Sequence, residues 1–248
     1  MASGTPPLDS LEAEHTPAAI RRRLREGHQP SYLRDFIYGA IDGAVTTFAV
    51  VSGVAGADLS SGIVLVLGFA NLIADGFSMA ASNFLGVRAD EQSRERIRAI
   101  EHDHIARHPA GETEEIRQIF REKGFADADL ERAVEIITAN ERRWVDTMIT
   151  EEYGLALDGP RAGKAAATTF VAFVLVGFIP LAPFLFGVEN AFTWSAVLTG
   201  VSFFAVGAWK SRFVLQGWLM AGLETLALGG GAAVLAYLTG AALKGLAG

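Results

Sequence analysis

Three acids stand alone in long apolar stretches of the chain, and an isolated carboxylate in such a setting is chemistry for holding a cation or a proton. Asp42 is the only charged residue between Phe36 and Ala57, Asp75 the only one between Ile63 and Val87, and Glu224 the only one between Phe213 and Gly240. A charge near the middle of a bilayer costs several kcal/mol on insertion scales, so an acid kept there marks an ion or proton path by default. Asn71, Asp75, Met79 and Asn83 recur at every fourth position, which stacks an amide, a carboxylate, a thioether and an amide on one helical face; Tyr38, Asp42 and Thr46 do the same on the preceding segment. The competing reading is that Asp42, Asp75 and Glu224 are hydrogen-bonded groups that hold helices together. Met79 alone would be packing, and its place four residues from Asp75 makes it a ligand candidate.

A second set of groups lies between residues 88 and 158, where 18 acids face 11 lysines and arginines. Glu101-x-x-His104 and Glu112-x-x-Glu115 each put two ligand groups on one helical face, and Met148 and Glu152 are four apart on a later helix. Carboxylates with one imidazole and a thioether suit divalent iron, manganese, cobalt or zinc, without choosing among them. The plain alternative is a set of solvated glutamates on amphipathic helices.

Composition narrows the classes further. The chain of 248 residues has no cysteine, which excludes disulfides, thiolate metal sites and a cysteine nucleophile. Its net charge of -7 argues against nucleic acid as a partner. The stretch from Gly159 to Lys164 lacks the glycine spacing and the following Ser or Thr of a phosphate-binding loop, so ATP hydrolysis is not expected.

The elements that must position these groups follow from hydropathy. The run 36–57 is 22 residues long, about 33 Å as a helix and enough to cross a bilayer core. Four more runs, 63–87, 163–187, 190–209 and 213–240, give five spans in all, with Asp42, Asp75 and Glu224 in a similar middle layer. The expected organisation is a polar tail over 1–34 without a signal peptide, spans one and two over 35–87, an acidic insert over 88–160 with helices near 88–107, 112–123 and 127–153, and spans three to five over 161–248. Lysine and arginine crowd the tail, the insert and residues 210–212, while the short turns near 58 and 189 have none. Positive flanks stay in the cytoplasm, so tail and insert are expected there and the C-terminus outside, with Lys244 a mild exception.

The segments DGAVTTFAVVSGVAGA at 42–57, ADGFSMAASNFLGV at 74–87 and WVDTMITEEYGL at 144–155 together resemble the vacuolar iron transporter family in its bacterial-type form, from about Tyr32 to the C-terminus. The resemblance implies an all-α, five-span homodimer with a cytoplasmic three-helix metal-binding insert. It implies export of ferrous iron, and of manganese, from the cytosol in exchange for protons, with the metal as substrate and no cofactor. A bacterial source would place it in the inner cell membrane. Asp42 then matches the family's first-span transport aspartate and Met79 the second-span methionine, with Asp75 beside them; Glu101, Glu112, Glu115, Met148 and Glu152 match the insert's ligands. His104 stands where glutamate is more usual, Ser82-Asn83 where many members have Gly-Glu, and Ile149 where plant members have a second methionine. Protonation of an imidazole at 104 would weaken metal binding in acid. Two rivals come from other classes: a membrane-anchored ferritin-like oxidase, which would need a second Glu-x-x-His pair, and a metal sensor whose spans only anchor it.

Overall fold

The computed structural model describes residues 12–26, 31–213 and 215–244, and every regular element among them is a helix. The expected tail over 1–34 is thus described in part, and its remaining residues lie outside the described ones. A short helix α1 (Pro17–Glu26) precedes α2 (Leu33–Gly56) and the 47-residue α3 (Ser61–Arg107). Then come α4 (Pro109–Glu122), α5 (Asp127–Thr138) and α6 (Glu141–Glu151), followed by α7 (Ala162–Gly177), a 3-10 turn (Ile179–Leu181), α8 (Ala182–Leu185), α9 (Ala191–Lys210) and α10 (Trp218–Leu243). Five helical stretches are long and apolar enough to cross a membrane: α2, α3, Ala162–Leu185, α9 and α10.

Four boundaries differ from expectation, three of them for a local reason. No Gly or Pro interrupts residues 88–107, so the second span and the first insert helix are one helix, α3. The helix expected over 127–153 is two, because Asn140 leaves helical geometry and its side chain accepts the Arg143 N–H at 2.9 Å as an N-cap. The last span starts at Trp218, five residues later than the apolar run, and the third span is broken by Pro180 and Pro183, which lack the N–H a helix requires.

The chain divides into two compact units, residues 1–84 with 163–248, and residues 85–162. In the first, Phe48, Val51, Leu72, Phe173 and Leu181 form an apolar core. Close backbone approach is set by glycine: a Cβ on Gly39 would meet the Thr169 carbonyl of α7, and one on Gly43 the Phe173 carbonyl one turn on. Gly39 and Gly43 are therefore used within the chain, between α2 and α7. Polar ties flank this seam. Asn83 Nδ2 donates to Asp35 Oδ1 and to Thr169 Oγ1, each at 2.8 Å, joining α3, α2 and α7; Asn71 Nδ2 reaches Thr46 Oγ1 at 3.4 Å. Lys244 pairs with Asp58 Oδ2 at 3.0 Å, so the end of α10 and the α2–α3 turn share one end of this unit, and the cation is neutralised there.

The glycine seam sets up an opposition of signs. Ala for Gly in an open helix stabilises by about 1 kcal/mol, and Gly86 of α3 has open space where a Cβ would go. Gly43→Ala is expected to destabilise by about 1–3 kcal/mol, as overpacking does, while Gly86→Ala stabilises. Thermal unfolding in detergent checks this, and two shifts of the same sign would refute the seam.

The second unit packs Ile116, Leu130, Val134, Trp144 and Met148 into one core, with Ile105, Ile119, Phe120 and Ile137 against it. Arg98 pairs with Asp146 at 2.8 Å and His102 Nδ1 meets Glu141 at 2.7 Å, which lays the end of α3 beside α6.

Candidate metal centre and ion path

In the second unit, α3 brings Glu101 and His104 to one face and the first turn of α4 brings Glu112 to meet them. One ligand atom from each of the three lies within 4.8 Å of the others. His104 Nδ1 is 3.3 Å from Glu112 Oε1. Glu101 and Glu112 are 1% and 5% exposed, and the Oε2 of each is buried without a hydrogen-bond partner. A buried carboxylate oxygen with nothing to accept from is costly. A divalent cation would satisfy both at once.

The remaining insert residues surround this trio to different degrees. Glu115 is exposed, one turn on from Glu112. Burial, then the charges of Glu115 and Glu101, push the Glu112 carboxyl above the usual carboxylate range, with His104 acting the other way. Glu152, just beyond α6, is pushed up to about 7 by partial burial of its carboxyl and then by Glu101, Glu115 and Glu112. Four carboxylates thus share one field. Met148 is fully buried among Ile116, Leu130, Val134 and Trp144, one turn before Glu152, so its thioether sits in the apolar core.

One residue was missed from the sequence. Tyr153 O–H donates to Glu101 Oε1 at 2.9 Å, fixing one oxygen and leaving the other for the shared site. Burial and this bond raise the phenol above its ordinary range. The adjacency of Tyr153 to Glu152 was the only available signal.

These shifts give the metal-free protein a pH dependence. Glu112 and Glu152 hold protons more tightly folded than unfolded, so their contribution is complete below the ordinary carboxylate range and is lost as pH rises through their raised values, about 7 for Glu152. The metal-free chain is expected to melt at a lower temperature at pH 8 than at pH 6, and Glu152→Gln to flatten that difference. Calorimetry in chelator checks it; an unchanged slope in the variant would refute the coupling.

In the membrane-spanning unit, Asp42 is half-buried on α2 beside Gly43, and its main-chain oxygen accepts from Thr46 Oγ1 at 2.9 Å. The Asp75 carboxylate lies close enough for its charge to act on Asp42. Asp75 is exposed on α3, and Met79, one turn on, packs partly buried against the apolar core. Glu224 is placed differently from expectation. Since α10 begins at Trp218, it lies six residues or about 9 Å into the helix, and it accepts from Gln216 Nε2 at 3.0 Å with Lys210 Nζ at 3.9 Å. Asn71 and Asn83 serve as ties to Thr46 and Asp35. Asp35, 9% exposed, is a buried acid that the apolar runs did not flag, because it stands at the edge of its span.

Comparison with known proteins bears on both sets of groups. A family model described as the VIT family matches residues 33–241. The vacuolar iron transporter of Toxoplasma gondii is 33% identical, over 96% of this chain and 84% of its own length. Vacuolar iron transporter 1 of Arabidopsis thaliana is 32% identical, over 83% of each chain, and the vacuolar iron transporter of Plasmodium berghei is 32% identical over 86% of this chain and 82% of its own.

Proposed function

Because the chain belongs to the VIT family, we propose that it carries iron across a membrane as a proton-coupled antiporter, moving divalent iron, and manganese with it, out of the cytosol. The observation that carries the reading is the Asp42 carboxylate, held half-buried in the first span within the field of Asp75 in the second. Cation selectivity follows from that placement, since an anion would be repelled by both groups.

Coupling follows from competition. A doubly charged cation favours ionised carboxylates and a proton neutralises them, so one set of groups that binds either but not both exchanges one for the other. The path in this reading is Asp42, Asp75 and Met79, with Glu224 at its polar edge. The insert captures the metal on Glu101, His104 and Glu112, with Glu115 and Glu152 adding charge. Tail and insert face the cytoplasm on the positive-flank argument. A homodimer is supported by Asp75, whose exposed carboxylate on a lipid-length helix would be covered by a second copy. The chain acts as a secondary transporter for metal homeostasis, not as an enzyme.

The test is flux of ferrous iron and of manganese into liposomes containing the purified protein, with and without an imposed proton gradient. Flux that responds to the gradient supports the antiporter. Metal binding without flux would replace it with a sensor, and oxygen consumption on adding ferrous iron with an anchored oxidase.

A further inference from the structure

Helix α1 lies ahead of the matched family region, which begins at residue 33. Its sequence is PAAIRRRLRE. At 100° per residue, Pro17, Ile20 and Leu24 fall within an arc of about 60°, flanked by Arg21 on one side and Arg23 on the other. Leu24 is 74% exposed. Among the described residues, Arg21, Arg22 and Arg23 form no ion pair, although each is exposed. A narrow apolar stripe edged by arginines matches a lipid surface, where the stripe enters the acyl boundary and the guanidinium groups spread to phosphates.

Connectivity puts such a surface within reach. Glu26 and Leu33 are joined by seven peptide steps, at most about 25 Å of extended chain, so α1 stays near the membrane end of α2. We propose that α1 docks on anionic phospholipid headgroups beside the first span. Clustered arginines next to a span favour an anionic leaflet over a zwitterionic one. The proposal rests on the five-span fold and not on the transport reading.

The absence of cysteine makes the test direct, because Leu24→Cys offers one labelling site on the full-length protein. An environment-sensitive fluorophore there is compared in vesicles of phosphatidylcholine alone and of phosphatidylcholine with phosphatidylglycerol. The expected result in the mixed vesicles is a blue shift and protection from an aqueous quencher. Both should be lost in phosphatidylcholine, in high salt, and when Arg21, Arg22 and Arg23 are replaced by glutamine. A label at Ala18, on the polar side of α1, should remain quenchable throughout. Equal shielding of the Leu24 position in both lipids would mean that α1 packs on protein, and equal exposure that it docks on nothing; either overturns the proposal. Metal flux plays no part in the readout, so its failure and this one are told apart.

Discussion

Asn in place of Asp42 is expected to cut gradient-driven iron flux by at least about tenfold, the equivalent of about 1.4 kcal/mol. The substitution keeps the size of the side chain and the main-chain oxygen that Thr46 holds at 2.9 Å, and Gly43 still seats against α7. What it removes is charge. A dehydrated divalent cation in a low-dielectric span is held mainly by carboxylates, and Asp75 alone leaves it undercompensated. The exchangeable proton is lost with the same group, so the coupling should vanish along with the rate. Liposome flux measured on protein that stays monodisperse checks this. Wild-type, gradient-dependent flux in the Asp42→Asn protein would remove Asp42 from the mechanism.

The second large effect is expected in the insert. Glu101→Gln or Glu112→Gln should weaken metal binding on the order of a hundredfold, the upper end of what losing even an outer partner of a metal ligand costs. Both carboxylates are buried, both present an unpartnered oxygen, and both lie within 4.8 Å of the His104 ring nitrogen. The double variant should lose less than the sum of the two, since groups that share one ion are coupled. Glu114→Gln is the control: its carboxylate is held by Arg117, away from the trio. Titration calorimetry with manganese reads the four variants and the wild type. Equal affinity in Glu112→Gln and wild type would show that the cluster is only a surface of acids.

Much of this was legible before any coordinates. Long apolar runs report spans directly, because a bilayer demands length and apolarity and little else. The acidic insert declared itself by charge, and Glu101 and His104 by their spacing on a helix. What escaped was contact between elements distant in sequence. Nothing in the chain says that Tyr153 reaches Glu101, 52 positions away, or that Met148, apolar in period and thioether in chemistry, is fully buried in the core. The break before Glu141 could have been read from Asn140, a residue that caps helices more readily than it continues them. The start of α10 could not, since Phe213 and Leu215 are apolar yet stand outside it.

The glycine seam between α2 and α7 has a mechanical consequence. Two backbones that touch at Gly39 and again at Gly43 leave no gap for one helix to slide or roll on the other. Interdigitated side chains can repack, whereas a carbonyl seated against a bare Cα can only stay or part. The pair α2 and α7 is therefore a fixed strut, and in the proposed transport cycle any opening around Asp42 would fall to the helices that move past it. A covalent tie from α2 to α7 would leave transport running.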